Sequence, residues 1–464
     1  MHKNQERVRF APSPTGWLHL GSVRAALFNK LYALKTNGTF ILRVEDTDQS
    51  RDVDPGAVKI QEDLQWLGIS FDEGPYFQSQ RTALYQKYLD QLIANNQVYR
   101  CFDTPEELET RRQIQIARGL PPKYDRACLK LSQEEVAQKL AQNTPFIWRL
   151  RLPETTISFL EVTRGEMSFD LTHFSDFALT RQDGSFTFLF ANFVDDLEMG
   201  ITMVIRGEDH LSNSASQVAL YKAFNKPCPR FFHLPLVCSV EGKKLSKRDF
   251  GFSLNDLKEA GYLPQAICNY VALLGHSFEE EILSLEELAR AIPFDTNSPK
   301  SSVRYDADKL LWINHKWIQR LLPEDFVAYT LPFLTTAYPK IIDNQHLRLL
   351  IEKIRPNMQT LKDAQALLRF FYHAPQTFSQ ELVAKHNFPA LATALETLAS
   401  VSDEDAFFAT TKTSCSKELK KDLFALIRVA LTAQDEGIGI KDLVEMLSLE
   451  EAKKRLRYFI DTVA

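Results

Sequence analysis

Two clusters in this sequence carry residues that could do chemistry. The first is Pro12-Ser13-Pro14-Thr15-Gly16-Trp17-Leu18-His19-Leu20-Gly21-Ser22. It follows a short extended run, Val8 to Ala11, and precedes SVRAALFNKLYALKT, in which Val23, Leu27, Leu31 and Leu34 recur at helical spacing. A helix N-terminus presents unpaired N–H groups and the positive end of its dipole to a phosphate. His19 adds a directed donor, and Gly21 lets a ring or phosphate come close to the backbone. On its own this is as well read as an ordinary strand-to-helix turn with a structural histidine.

The second cluster is Gly242-Lys243-Lys244-Leu245-Ser246-Lys247-Arg248. Four cations in six residues repel one another and call for an anion. Alone it reads as a solvated basic loop or an RNA-facing patch. Together the clusters describe something narrower, because the elements around them belong to one sheet. Val8 to Ala11, a helix from near Gly21 ending at Asn37-Gly38, and the apolar run Thr39 to Val44 make a strand–helix–strand unit, hence parallel strands. Strand signals return at Ile201 to Ile205 and Leu234 to Ser239. Loops at the carboxyl edge of such a sheet converge on one crevice. A helix terminus, a histidine and a lysine loop around one crevice suit a nucleoside triphosphate.

The length of 464 residues favours about three domains at roughly 150 residues each. Hydrophobic residues at 44% and charged residues at 25% exclude a disordered, collagen-like or disulfide-scaffold chain. A balance of 55 Lys+Arg against 60 Asp+Glu leaves −5, so any nucleic-acid surface must be segregated onto one face. Six scattered cysteines without a CxxC read as reduced thiols, and a cytoplasmic protein is expected. There is no secretory h-region and no apolar run of about 18 residues, so no membrane is expected. Capping patterns stand at Thr104, Ser132, Ser284 and Ser448, and the chain beyond residue 255 reads as helical.

PSPTGWLHLGS resembles the HIGH signature of class I aminoacyl-tRNA synthetases, with His19-Leu20-Gly21-Ser22 as its four letters. KLSKR resembles their KMSKS loop. RFAPSPTG, LRVEDTD, YDRACLKLS, VIRGEDHLSN and LPQAICNYVALLG are similar to bacterial glutamyl-tRNA synthetases, over nearly the whole chain and more weakly after about residue 330. Ordered motifs at family spacing are far more specific than any one alone.

The resemblance implies an α/β fold. A Rossmann-like parallel-sheet catalytic domain, residues 1–74 and 186–255, is interrupted by an inserted α+β acceptor-arm domain at 75–185. A helical linker at 256–322 and an all-helical anticodon-binding region at 323–464 follow. It implies ATP, L-glutamate and glutamate tRNA as substrates, with Mg²⁺ accompanying the nucleotide, and a monomer. His19, Lys244 and Lys247 become the catalytic phosphate donors, and Gly21, Ser22, His210 and Leu236 join them around ATP. Arg9, Ser13, Glu45, Phe188, Asn192 and Arg206 become the glutamate pocket, with arginines for the carboxylates and Glu45 for the ammonium. A carboxylate needs no general base to attack phosphorus, so positioning and charge stabilisation carry the reaction.

Three departures matter. Phe188 stands where the family often has Tyr, removing a pocket hydroxyl. Some members carry zinc on Cys and His residues; the matching positions here are Cys101, Asp103, Cys128 and Lys130, and no zinc is expected. Members restricted to glutamate tRNA tend to carry an Arg where this chain has Asn357, so glutamine tRNA is an additional expected substrate unless Arg355 reads the base. A helical tail argues against relatives whose tails are β-barrels. A non-catalytic RNA-binding paralogue would be favoured by loss of His19 or the KLSKR lysines, and all are present.

Overall fold

The computed structural model describes residues 5–47, 54, 57–243, 245, 251, 253–339 and 345–463. Its strands and helices begin where the local chemistry calls for them. β1 (Arg7–Phe10) runs through the proline-rich loop into α1 (Leu20–Thr36), and β2 (Thr39–Val44) returns. Leu27, Phe28 and Leu31 are fully buried, which at about 1.5–3 kcal/mol per large side chain holds α1 to the sheet. Leu34, on the same helical repeat, is 40% exposed instead. Asn37, at φ 51° and ψ 41°, ends the helix in the left-handed conformation that the Asn-Gly pair favours. β2 is buried at all six residues, as a strand covered on both faces must be.

The chain continues through α2 (Val58–Trp66), β3 (Glu73–Phe77), α3 (Thr82–Ala94), β4 (Val98–Cys101), α4 (Pro105–Ala117), α5 (Gln133–Ala141), β5 (Ile147–Leu150), β6 (Thr156–Glu161) and β7 (Gly165–Asp170). Then come α6 (Phe188–Glu198), β8 (Met203–Gly207), α7 (Leu211–Ala223) and β9 (Arg230–Leu234). β1, β2 and β3 pair in parallel, as do β8 and β9. β1 and β8 lie side by side, tied by Arg7 N to Thr202 Oγ1 at 2.9 Å and Thr202 N to Arg7 O at 3.0 Å. The order β3-β2-β1-β8-β9 therefore reverses between β1 and β8, and a crevice opens at such a switch point.

The 75–185 stretch does more than interrupt this sheet. Its β6–β7 hairpin is antiparallel, and β6 pairs in parallel with β9 through Glu161 and Phe231. β4 and β5 form a separate antiparallel pair.

The last strand differs from the sequence expectation. The five-residue strand is Arg230–Leu234, so the expected Leu234 to Ser239 run supplies only its last residue and, after a break at Pro235-Leu236, the short strand Val237–Cys238, which pairs with Val303–Arg304. Arg230 and His233 disguised the true strand, because a buried histidine is tolerated only with a partner at hand.

The chain divides into two compact units, Met1–Asp256 with Ile267–Ala307, and Leu257–Ala266 with Asp308–Ala464. Within the second, the helices Phe388–Leu398, Lys420–Thr432 and Leu449–Val463 pack around Leu391, Leu395, Leu426, Ile427, Leu456 and Phe459, while Pro323–Ala337 and Gln345–Ile354 pack on each other. Among its described residues there is no strand. Thr104, Ser132 and Ser284 make both bonds of the capping box, and Ser448 Oγ accepts from Glu451 N at 3.4 Å. No helix among the described residues is long and apolar enough to cross a membrane.

Candidate active site

A cavity of about 760 Å³ lies at the switch point. Its wall includes Arg9, Ser13, His19, Gly21, Ser22, Glu45, Phe188, Asn192, Arg206, His210 and Leu236. Residues far apart in the sequence are thus brought to one crevice by β1, α1, β2, α6, β8 and the chain after β9.

At one end is the start of α1. His19 is its N-cap, with Nδ1 accepting from Ser22 N at 3.1 Å. That bond fixes the ring hydrogen of the neutral imidazole on Nε2, which lies 2.9 Å from Ser22 Oγ. A Cβ at Gly21 would stand 3.1 Å from His19 Cε1, so the missing side chain lets the ring fold back over the helix start. Asn29 bonds to Ile205 O at 3.2 Å, and Arg24 bonds to Pro235 O at 2.6 Å and Leu274 O at 3.2 Å. These buried bonds hold α1 across the sheet. Burial lowers the Arg24 guanidinium to about 10, against Glu208 nearby, so it remains charged at neutral pH.

Leu245 borders the same cavity and is buried, its N bonded to Val237 O at 3.1 Å. This brings the root of the basic loop to the crevice. Lys243 is described and lies 3.5 Å from Glu241. Lys244 and Lys247 lie outside the described residues. His210 sits at the start of α7, with Nδ1 3.1 Å from Asn213 Nδ2 and its ring 5.7 Å from that of Phe188. Leu236 is held by its N–H to Glu208 Oε1 at 2.8 Å.

The other end is a buried charge network. Arg9 is 3% exposed and clamps Asp196 with Nε at 3.0 Å and Nη2 at 3.2 Å. Arg43 reaches the same acid at 2.7 Å and comes within 3.6 Å of Glu45. Asp195, beside it, takes Gln78 at 2.9 Å, Arg81 at 2.7 Å and the Tyr85 hydroxyl at 2.8 Å. Asn192 donates to Glu45 at 2.5 Å and accepts from Gln217 at 2.8 Å. Burial pushes the Glu45 carboxyl up to about 7, despite the opposing pull of Arg43, Arg9 and the Asn192 bond.

Arg206 is a buried cation of the pocket with no carboxylate within ion-pair distance among the described residues, although Asp196, Glu45 and Asp209 act on it from further off. It is 7% exposed, and Nη2 bonds to Ser214 Oγ at 2.8 Å. Nε and Nη1 have no hydrogen-bond partner among the described residues. Burial and the nearby Arg9 charge lower it to about 9. A buried guanidinium with two open N–H positions is a built receptor for a carboxylate. Phe188 begins α6 on this wall, while Ser13 is exposed at the mouth.

Asp195, Asp196 and Arg43 escaped the sequence reading. Their signal was present: two adjacent acids inside the apolar helix run Phe188 to Glu198 need cations if they are buried.

Away from this crevice, Cys101, Asp103 and Cys128 bring their ligand atoms within 4.8 Å of one another. Asp103 is already engaged, by Arg111 at 3.0 and 3.2 Å and by the Tyr124 hydroxyl at 2.7 Å. Lys130 is exposed. In the helical unit, Arg355 spends its guanidinium on carbonyls, with Nε on Ile318 O and Nη2 on Gln319 O, both at 3.0 Å, and Nη2 also on Leu321 O. Asn357 closes the same turn and is exposed. In the same unit Lys412, Lys417 and Lys421 are exposed, while Arg428 is bonded to Ile438 O at 3.0 Å and Asp435 O at 2.6 Å.

A histidine-capped helix over the switch point of a parallel sheet, with a lysine loop rooted on the same crevice, defines a class I synthetase catalytic unit. The family model "tRNA synthetases class I (E and Q), catalytic domain" matches residues 5–312, and "Anticodon binding domain" matches 325–460. The chain belongs to the E and Q family of class I tRNA synthetases. It is 37% identical to the glutamate–tRNA ligase of Sulfurihydrogenibium sp., over 98% of this chain and 99% of that one. It is 36% identical to the glutamate–tRNA ligase of Geobacter sulfurreducens, over 97% of each. A solved glutamate tRNA ligase from Elizabethkingia meningosepticum, in complex with its amino acid, matches with a TM-score of 0.87 and 33% identity, over 99% of this chain and 100% of that one.

Proposed function

We infer that this chain joins L-glutamate to the 3′ end of a tRNA at the expense of ATP, in the cytoplasm. Arg206 carries the reading: a buried guanidinium with two open N–H positions, in the crevice bordered by the capped helix and by Leu245. A glutamate α-carboxylate attacks the α-phosphorus of ATP, a new C–O–P linkage forms, and pyrophosphate leaves. The terminal ribose hydroxyl then attacks the acyl carbon and AMP leaves. His19, Lys244 and Lys247 donate to phosphate oxygens as charge builds on them. Gly21, Ser22, His210 and Leu236 shape the nucleotide end. Ser13, Asn192 and Phe188 frame the amino acid, Glu45 takes the ammonium, and Arg9 and Arg206 serve the carboxylates. Arg206 is buried whereas His19 is exposed, and we assign Arg206 to the side-chain carboxylate. Two carboxylates, Glu45 and Asp209, stand on the described wall; Mg²⁺ arriving with the nucleotide would draw most of its ligands from the triphosphate and would neutralise part of its charge. Residues 75–185 receive the acceptor arm, 256–322 the stem and 323–464 the anticodon; the anticodon-domain match at 325–460 supports the last of these.

Glu45 gives this reading a pH signature. A carboxyl raised to about 7 is neutral below that pH and attracts an ammonium only above it. Glutamate KM should rise about tenfold as pH falls from 8 to 6, with ATP KM changing less. Charging kinetics across that range test this, and a flat glutamate KM contradicts the role of Glu45.

No structural zinc is assigned. Two thiols and a carboxylate already paired with Arg111 do not make the closed tetrahedral set of a structural zinc site. Metal analysis after chelation should find far less than one zinc per chain. Stoichiometric retained zinc would refute this.

We also assign relaxed tRNA specificity. Arg355 is committed to backbone carbonyls and to Glu352, which leaves Asn357 as the exposed hydrogen-bonding side chain of its turn. Asn carries no charge and a shorter reach than the Arg it replaces, and one good base contact is worth about 1–3 kcal/mol. Purified glutamate and glutamine tRNAs should both accept glutamate, differing by less than about a thousandfold in kcat/KM, roughly 4 kcal/mol. A larger preference eliminates the idea. An amidotransferase would then be needed downstream to convert the mischarged glutamine tRNA.

A further inference from the structure

Behind Arg206 stands a line of three buried polar side chains that the reaction itself does not use. Ser214 Oγ lies 2.8 Å from Arg206 Nη2 and 3.1 Å from His233 Nε2. His233 Nδ1 makes no geometric hydrogen bond and faces Glu161 Oε1 at 3.4 Å, an electrostatic contact, while the same oxygen accepts His233 N at 2.9 Å. Glu161 Oε2 accepts from Thr163 N at 2.8 Å, Thr163 Oγ1 at 2.7 Å and Arg164 N at 2.6 Å. Glu161, His233 and Ser214 are fully buried.

The chemistry gives this line a direction. Burial alone would raise the Glu161 carboxyl, but the bonds from His233, Thr163 and Arg164 hold it down at about 2, so it is ionised. Burial lowers His233, with the Arg206 and Arg164 charges acting the same way against the pull of Glu161, so the ring is neutral. A neutral imidazole beside a carboxylate keeps its hydrogen on the nitrogen facing that carboxylate, here Nδ1. Nε2 is then an acceptor and takes the single Ser214 hydrogen. The Ser214 oxygen is left with lone pairs alone to offer, and Arg206 donates into them. Each partner's role is fixed by the one behind it.

We propose that Glu161, His233 and Ser214 form a directed polar relay, electrostatic at Glu161–His233 and hydrogen-bonded from His233 through Ser214, that positions Arg206 for the substrate's side-chain carboxylate. This rests on the reading of Arg206 given above. The relay occupies one hydrogen of Nη2 and leaves Nε and Nη1, which point from different edges of the guanidinium, open to the ligand. Phe231 packs against both members, its ring 5.6 Å from the Arg206 guanidinium and 5.9 Å from the His233 ring. The same acid–imidazole–hydroxyl order serves nucleophiles in hydrolases. Here the hydroxyl is sealed from solvent and its oxygen is occupied by a cation, so these are positioning residues. Glu161 ends β6, so the stretch inserted at 75–185 supplies the far end of the relay.

The test compares Ser214→Ala, His233→Phe and Arg206→Ala with the parent chain, in charging assays with glutamate and with glutamine. The preference for glutamate over glutamine in kcat/KM does not depend on how much of each preparation is folded. Ser214→Ala should raise glutamate KM about tenfold and lower that preference similarly, the scale of one lost charge-assisted bond. ATP KM should stay within about twofold of the parent, against that tenfold change. His233→Phe should do the same and serves if Ser214→Ala is insoluble. Parental glutamate KM and preference in the soluble variant, with both lost in Arg206→Ala, would overturn the relay alone. Parental values in Arg206→Ala would overturn the reading beneath it.

Discussion

His19→Ala is expected to lower the rate of pyrophosphate release, measured with tRNA present, by about 10²–10³. The imidazole does two things at once. Nδ1 caps α1, and the hydrogen thereby fixed on Nε2 is held at the helix start. Losing the cap costs about 1 kcal/mol of stability, which would lower the melting temperature by a few degrees without removing the fold. The larger loss is kinetic, because a donor fixed beside the triphosphate acts most strongly when charge shifts onto its oxygens. Substrate KM values should therefore change less than kcat. His19→Asn retains an acceptor for Ser22 N and a donor, and should recover part of the rate. Lys247→Ala should fall in the same range on the sequence argument. Near-parental turnover in both alanine variants would remove these roles.

Arg206→Ala should raise glutamate KM by at least about thirtyfold. Removing one member of a buried charge pair costs about 2–5 kcal/mol, much of it from the partner left unpaired, here the substrate carboxylate. The protein itself should lose little, since Arg206 has no carboxylate partner of its own within ion-pair distance among the described residues. Arg9→Ala makes the informative contrast. It strips Asp196 of one of its two cations, so a weaker glutamate affinity should come with a marked loss of thermal stability. Phe188→Tyr should be tolerated and should tighten glutamate binding if the added hydroxyl reaches the ligand. Unchanged glutamate KM in Arg206→Ala, or complete inactivity of Phe188→Tyr, would show that the pocket is arranged differently.

What the sequence disclosed and what it hid have a common physical cause. The loop through His19, the strand Thr39–Val44, the Asn37 helix end and the capping boxes are local: each is specified within a few residues of itself. They were legible for that reason. Arg9, Glu45, Asn192 and Arg206 could be placed in the pocket only by resemblance. Their meeting depends on β1, β2, α6 and β8 being neighbours in space. The hidden parts all depend on partners distant in the chain. His233 lies in a strand because Glu161 waits 72 residues upstream. Asp195 and Asp196 are accommodated inside an apolar helix because Arg9, Arg43 and Arg81 reach them. Arg355 looked available beside Asn357, and its guanidinium is spent on the end of a neighbouring helix.

The most direct test of the account is charging by the purified chain with each of the twenty amino acids, isotopically labelled, together with ATP and unfractionated tRNA. The account predicts that label from glutamate, far above every other amino acid, becomes acid-precipitable, sensitive to ribonuclease and labile to base, with AMP and pyrophosphate released in equal amounts. Stable attachment of a different amino acid, or no ATP-dependent attachment at all, would contradict it.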